Sequence, residues 1–477
     1  MTQIGWELRK LRVTGGSEME NTVNKQREYF LSGATLPYAF RVRQLQTLAG
    51  AIKQNEGLIS AALAEDLGKS AFESYATEIS MVNAEIKHTL KHLKGWMRAQ
   101  KRPTPVTSFG AKSSIHYQPL GVTLIMAPWN YPFQLTITPL VAAMAAGNCA
   151  ILKPSRYSKQ TSAVLAKIIG EHFPREYVTL FEGGRAVNTA LLEQQFDQIF
   201  FTGSVQVGKI VMAAAAKHLT PVTLELGGKS PCLVDQTADL EKTAQRIIWG
   251  KALNAGQTCV APDYILVHRT AHQQLIVALK KAMAKFFGEK MLESGDYGKI
   301  INQKAYDRLR ALLEAEQPRI IAGGSCDPDQ LKIELTLLDN PALDSPVMTE
   351  EIFGPLLPII AYDDLSEAIA IIRSREKPLA LYLFTKDKNL ETWVVNNLLY
   401  GGGCINDTVM HVANCHLPFG GVGASGMGSY HGKKGFETFS HAKSILKQTF
   451  AFEVPVRYAP YKNKLKLLRR FSSRGLL

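Results

Sequence analysis

Between Gly121 and Leu226 the chain repeats one pattern, a short apolar run followed by a helical segment. Gly121–Ala127, Asn148–Leu152, Val178–Phe181, Gln198–Phe201 and Val222–Leu226 read as buried strands. Leu135–Ala146 and Ser162–His172 read as two of the intervening helices. Strands apolar on both faces need helices on both sides, so the alternation predicts an α/β fold built on a doubly wound parallel sheet. At 477 residues the chain is too long for one small core, and further domains are expected around that sheet. Upstream, Glu18 to Arg98 carries helical spacing (Ile52, Ile59, Leu63, then Ile79, Val82, Ile86, Leu90), interrupted by a helix end and turn at Asp66-Leu67-Gly68-Lys69-Ser70. No chemistry is assigned to that stretch. Lys101–Ser114, rich in Pro, Thr and Ser, reads as a linker or projecting arm, and Met1 to about Gly16 as a basic segment outside the core.

Doubly wound sheets bind ligands at the carboxyl ends of their strands, and three of those ends are chemically loaded. The first leads into Pro128-Trp129-Asn130-Tyr131-Pro132-Phe133, where two prolines bracket an asparagine whose amide can face a charge or cap the next helix. The second leads into Lys153-Pro154-Ser155-Arg156; its lysine suits ribose hydroxyls or phosphate, or simple solvation. The fourth leads into Thr202-Gly203-Ser204-Val205-Gln206-Val207-Gly208-Lys209, a glycine loop entering a helix, which is a ready phosphate site although the spacing is not the common dinucleotide fingerprint. The fifth strand runs into Leu224-Glu225-Leu226-Gly227-Gly228-Lys229. A carboxyl between two leucines is desolvated, and the raised pKa suits a general base near neutral pH, unless it pairs with a structural lysine.

Asn254-Ala255-Gly256-Gln257-Thr258-Cys259-Val260-Ala261-Pro262 presents a cysteine among small residues with no second cysteine near it. Such a thiol is either a nucleophile or a small buried hydrophobe. The neighbouring glycine lets backbone and substrate come close, and a backbone N–H beside the sulfur can face an oxyanion. The other cysteines (Cys149, Cys232, Cys326, Cys404, Cys415) are scattered, with no CxxC pair, which fits a reducing cytoplasm. His411 and His416 flank Cys415 at a spacing that suits no standard metal site, so both read as structural and no metal is expected.

These stretches together resemble the aldehyde dehydrogenase superfamily. Pro128–Phe133, Thr202–Gly208, Leu224–Lys229 and Asn254–Pro262 stand in its order and spacing, followed by Glu350-Glu351-Ile352-Phe353-Gly354-Pro355 and by Leu417 to Gly428. Ser429 to His441 is similar to the class 3 branch, which handles medium- to long-chain aliphatic and aromatic aldehydes. The resemblance covers roughly residues 20 to 450. It implies that Cys259 attacks the aldehyde, that the Asn130 amide and the Cys259 N–H hold the oxyanion, and that Glu225 activates the water that hydrolyses the thioester. It also implies a bound NAD or NADP. Gly203, Ser204, Val205, Gln206, Val207 and Gly208 would meet its pyrophosphate and Lys153 its adenine ribose, with Ser155 and Leu226 alongside. Glu351 would hold the nicotinamide ribose, and Phe353 and Trp129 would flank the cofactor.

NAD-preferring members often carry a glutamate after Lys-Pro-Ser; here Arg156 stands there, and it can pair with a 2′-phosphate or turn to solvent. NADP is therefore expected to serve at least as well as NAD. Gly401-Gly402-Gly403 reads as a mobile turn at the active-site mouth, and Tyr131, Trp249 and Val260 as candidate walls of the substrate funnel. The resemblance implies a cofactor domain over 17–100 and 120–226, a catalytic α/β domain over 227–425, an oligomerisation arm over 101–119 and 426–450 that makes a homodimer, and a basic tail over 451–477. A coenzyme A-acylating relative is disfavoured by Glu225, whose poised water would waste the acyl group, and a silent binding relative by the presence of Cys259, Glu225 and Asn130 together.

The net charge of +13 suggests nucleic acid until it is mapped. After Glu453 there is no acid, but there are Arg457, Lys462, Lys464, Lys466, Arg469, Arg470 and Arg474, so about half of the excess lies in the tail. No nucleic-acid motif accompanies it, and that function class is set aside. Leu465, Leu468 and Phe471 can share one face of a basic helix, which reads either as a solvated tail or as a peripheral contact with an anionic membrane. The segment is too short and too charged to span one.

Overall fold

The computed structural model describes residues 18–472 apart from Phe452 and Val454. The reading of Met1 to Gly16 as a loose basic segment falls outside the described residues.

The first α/β unit is a six-stranded sheet whose order, by residue range, is Gly426–Met427, Val222–Glu225, Gln198–Thr202, Val122–Met126, Cys149–Lys153 and Val178–Leu180. All neighbours are parallel except Gly426–Met427, which pairs antiparallel with Leu224 and Glu225. From Val122–Met126 the chain winds outward through Cys149–Lys153 to Val178–Leu180, then returns to the other side for Gln198–Thr202 and Val222–Glu225. The reversal lies between Val122–Met126 and Gln198–Thr202, and a crevice opens at such a switch point beyond the strand carboxyl ends. Helix Gln134–Ala146 is buried along its whole length, because it runs beneath this sheet and is covered in turn by helices Tyr38–Gln54, Ser80–Trp96 and Gly432–Thr438.

The second unit is a seven-stranded sheet in the order Ile320–Ala322, Thr336–Asp339, Leu356–Tyr362, Tyr264–His268, Pro231–Val234, Ala380–Phe384 and Gly402–Ile405, parallel except for the first strand. The expected mobile turn at Gly401-Gly402-Gly403 is corrected here: Gly402–Ile405 is the edge strand of this sheet. A Cβ on Gly403 would lie 1.9 Å from the Leu381 carbonyl oxygen, so the glycines serve close strand pairing rather than mobility.

The arm is a three-stranded antiparallel sheet of Gln100–Arg102, Lys112–Pro119 and Ser440–Lys447, the last two in register over eight residues. The segment 426–439 places a strand on the first sheet and a helix on Gln134–Ala146, so the arm's third strand begins at Ser440. Beyond it, Lys464–Ser472 is helical and Leu465 and Leu468 are exposed; the Phe471 side chain lies outside the described residues. Among the described residues no helix is long and apolar enough to cross a membrane.

Candidate active site

The cysteine loop is held in an unusual backbone. Asn254 and Ala255 adopt left-handed conformations (φ 52° and 51°), followed by Gly256 at φ 74°. A Cβ on Gly256 would sit 2.3 Å from the Gly354 carbonyl oxygen. That glycine therefore makes room for the Gly354 backbone, the close backbone approach that the sequence suggested. Three residues on, Cys259 Sγ has the backbone N–H groups of Cys259 and Val260 beside it, which favour the thiolate. Burial, with the Glu351 and Glu225 carboxyls as smaller causes, outweighs them and pushes the thiol up to about 12. Cys259 therefore rests as a thiol.

Glu225 ends its strand 2% exposed, and among the described residues neither carboxyl oxygen has a protein hydrogen-bond partner. Desolvation raises its pKa well above the usual carboxylate range. The alternative of a structural ion pair fails, because Lys229 is engaged with Asp263 and with the Val347 and Glu350 carbonyls. An unpartnered buried carboxyl is costly, and it stands in a cavity of about 270 Å³ that Cys259 also lines. The other walls are mainly apolar; Tyr131, Trp249 and Val260 are among them, with Leu135, Val412 and Phe419.

Asn130 is gripped from three directions. Its backbone oxygen accepts from Lys69 Nζ (3.1 Å) and Asn254 Nδ2 (2.8 Å), and its Nδ2 donates one hydrogen to the Gln257 carbonyl (3.0 Å). Among the described residues that amide meets no second acceptor, and it has one more hydrogen to give. The sequence reading assigned no chemistry to residues before Arg98, and that misses the clamp. Lys69 pairs with Glu78, both fully buried, and Glu78 also accepts from the backbone N–H groups of Phe133 and Gln134 (2.9 and 3.1 Å). Glu73 in turn accepts from the Asn254 N–H (2.7 Å). Glu78 lies in a π-helical stretch, Tyr75–Ile79, a departure from regular helix that often marks function. A lysine and two glutamates buried among apolar positions were the available signal.

The crevice fits a dinucleotide. Helix Val205–Ala216 points its N-terminus at the switch point, capped by Ser204, whose side chain accepts from the Val207 N–H. The glycines bring the backbone in close: a Cβ would lie 2.6 Å from the Phe201 ring at Gly203 and 2.8 Å from Leu226 at Gly208, so a side chain at either would force its neighbour to shift. Gln206 is exposed in the same first turn. On the neighbouring strand end Lys153 is buried, donates to the Pro154 carbonyl, and is lowered to about 8 chiefly by desolvation. Ser155 Oγ accepts from the Tyr157 N–H (3.2 Å). Arg156 is exposed, lies over the Tyr157 ring (5.0 Å to its centroid) and packs by Gly184, where a Cβ would come within 2.9 Å of its Cδ. Nearer the thiol, the Glu351 carboxyl rests against Gly227, where a Cβ would lie 2.1 Å away, and burial raises it to about 8. Phe353 (φ 48°) meets Trp129 edge-to-face at 5.4 Å.

The aldehyde dehydrogenase family model matches residues 6–445. The 4,4'-diaponeurosporen-aldehyde dehydrogenase of Staphylococcus aureus (strain NCTC 8325 / PS 47) is 49% identical over 453 residues, covering 95% of this chain and 99% of that protein. The dimeric, NADP-preferring aldehyde dehydrogenase of Rattus norvegicus is 46% identical over 453 residues, covering 94% and 99%. Among solved structures, the substrate-bound state of Staphylococcus aureus AldH matches with a TM-score of 0.93 at 49% identity, over 95% of this chain and 99% of that one. An NADP-dependent enzyme of E. coli matches with a TM-score of 0.83 at 26% identity, over 91% of each chain.

Proposed function

The chain belongs to the aldehyde dehydrogenase family, among class 3 relatives, and from that premise we propose that it oxidises long apolar aldehydes to carboxylic acids through Cys259 and Glu225. It is an NAD(P)-dependent aldehyde dehydrogenase; the substrate class and the residue roles are our reading. The observation that carries it is an apolar cavity lined both by the buried Glu225 carboxyl, unpartnered among the described residues, and by the half-buried Cys259.

Cys259 Sγ attacks the aldehyde carbon as its proton passes through the Glu225 carboxylate to solvent, which leaves Glu225 basic again, and the carbonyl oxygen becomes an oxyanion. The free Asn130 amide hydrogen and the Cys259 N–H hold that charge, a donor of this kind contributing about 3 kcal/mol to the barrier. When bound, the dinucleotide supplies the hydride acceptor that turns the thiohemiacetal into a thioester. Glu225, made more basic by desolvation, then takes a proton from water as the water oxygen attacks the thioester carbon. Collapse of the tetrahedral adduct releases the acid and returns the sulfur. Gly203 to Gly208 would hold the pyrophosphate, Glu351 the nicotinamide ribose, Trp129 and Phe353 the cofactor's flank, and Lys153 with Ser155 the adenine ribose, with Leu226 packed under Gly208. Arg156 would pair with a 2′-phosphate, so NADP should serve at least as well as NAD. All six cysteines are unpaired, which supports a reducing cytoplasm. The arm, whose Ser440–Lys447 strand lies at the sheet edge with Ile445 and Leu446 exposed, supports a homodimer. The basic tail helix would give at most a peripheral contact with an anionic membrane.

A series of straight-chain aldehydes tests the substrate class. We expect kcat/KM to rise about three- to fourfold per methylene until the cavity is filled, from about 0.8 kcal/mol for each buried CH₂. Thiol alkylation should abolish NAD(P)H formation. Equal efficiency with acetaldehyde and decanal would sink the proposal, since an apolar cavity would then contribute nothing to selection.

A further inference from the structure

Away from the catalytic cavity, three side chains with soft or borderline donor atoms converge at the surface. Helix Ser80–Trp96 puts His88 and His92 four residues apart, hence on one face. After the turn Met410–Ala413, the chain brings Cys415 and His416 against that face. One ligand atom each from His88, Cys415 and His416 lies within 4.8 Å of the other two, and among the described residues this is the one such group of three. His416 meets His88 edge-to-face, their ring centroids 4.6 Å apart. The approach depends on Gly432 (φ 49°): a Cβ there would lie 2.2 Å from the Cys415 carbonyl oxygen and 3.3 Å from His88 Nε2. Glu85, one turn before His88, accepts from the Gly432 N–H (2.6 Å) and ties the same segments together.

We propose that His88, Cys415 and His416 form a zinc-binding site that joins helix Ser80–Trp96 to the 410–418 segment. One thiolate and two imidazoles suit zinc, whereas magnesium and calcium want oxygen ligands that this set lacks. Zn–N distances of about 2.0–2.1 Å and Zn–S of about 2.3 Å put tetrahedral ligand atoms about 3.3–3.6 Å apart. From separations of at most 4.8 Å the group has to close by no more than about 1.5 Å, and His416 is exposed and has room to turn. Water fills the fourth position; His92 packs near His88 (4.3 Å between ring centroids) but is not one of the three residues whose ligand atoms converge. Lys433 and Lys434 line the same cleft, but Lys433 is paired with Glu437 (3.4 Å). Met81, on the same helix, and Val412 and Ala413 line the catalytic cavity, so the zinc would hold together two pieces of its wall.

The test uses the full chain carrying Cys259→Ala, so that the catalytic thiol adds no metal signal. We expect one zinc per chain to survive dialysis, and cobalt to give thiolate-to-metal charge-transfer absorbance. Adding Cys415→Ser should remove that absorbance, and adding His416→Ala should weaken zinc binding at least tenfold. His416 is exposed, so its replacement leaves the fold intact, and circular dichroism verifies folding in each variant. Failure of the Cys259→Ala protein to bind zinc stoichiometrically would overturn the proposal. So would zinc binding that neither further substitution weakens.

Discussion

Cys259 and Cys415 are both unpaired and both partly exposed, yet their surroundings differ in kind. Around Cys259 lie apolar walls, two backbone N–H groups and the carboxyls of Glu351 and Glu225; burial pushes the thiol up to about 12. Around Cys415 lie two imidazoles with lone pairs to give. The first environment has nothing to bind a cation with neutral donors, but it can hold a carbonyl carbon against sulfur and later a water against a carboxylate. The second opens on a cleft walled largely by imidazoles, lysines and a carboxylate rather than by apolar side chains. The side chain is the same, and the neighbours contributed by distant segments decide what it can do.

The comparison breaks most sharply at the nucleophile. Cys259→Ala should reduce kcat/KM for aldehyde oxidation on the order of 10⁴-fold or more, by the usual size of a nucleophile's loss, in steady-state assays of NAD(P)H formation. Undiminished turnover would mean that the two thiols had been assigned the wrong way round. Glu225→Gln should slow steady-state turnover about 10²- to 10³-fold. It should still give a burst of about one NAD(P)H per site, because its loss falls on thioester hydrolysis.

The direction of the Glu225 shift also fixes a pH dependence. Its folded pKa is raised, so the basic form accumulates only as pH climbs past the usual carboxylate range. Hydrolysis should therefore speed up with rising pH in the parent enzyme and lose that limb in Glu225→Gln. The same shift means that the folded protein holds this proton more tightly than the unfolded chain does. The stability it contributes below the unfolded pKa is lost as pH rises towards the folded one. Glu225→Gln should accordingly melt higher than the parent at pH 8 and no higher at pH 4; a thermal scan at both values checks it.

Two smaller effects sharpen the picture around Cys259. Lys69→Met leaves Glu78 buried without its ion-pair partner and should cost about 3–5 kcal/mol of stability in denaturant titration. A loss below about 1 kcal/mol, the value of an exposed pair, would show that the clamp on Asn130 is not closed in solution. Arg156→Glu should move the NADP-to-NAD ratio of kcat/KM about tenfold or more towards NAD, since one hydrogen-bonded charge pair with phosphate is exchanged for repulsion. An unchanged ratio would leave Arg156 turned to solvent.

Much of this was legible in the chain itself. Strand and helix periods repeat within a few residues, so Val122–Met126, Cys149–Lys153, Val178–Leu180, Gln198–Thr202 and Val222–Glu225 fell within one or two residues of where spacing put them. Motifs at strand ends likewise carry their own local reason, as the Thr202–Gly208 loop does. Gly401 to Gly403 misled because a glycine run signals either mobility or close packing, and only the Leu381 backbone beside Gly403 tells which.

By itself, then, the sequence determined the doubly wound sheet, the candidate nucleophile loop, the base candidate and the loops at the strand ends, since each rests on neighbours along the chain. Tertiary structure alone decided that Glu225 has no partner while Lys229 has three, that Lys69 and Glu78 clamp Asn130, and that His88 meets Cys415 and His416. Those contacts join residues from 34 to about 330 positions apart. Desolvation and donor geometry are properties of a folded neighbourhood, and no local pattern records which distant segments will build it.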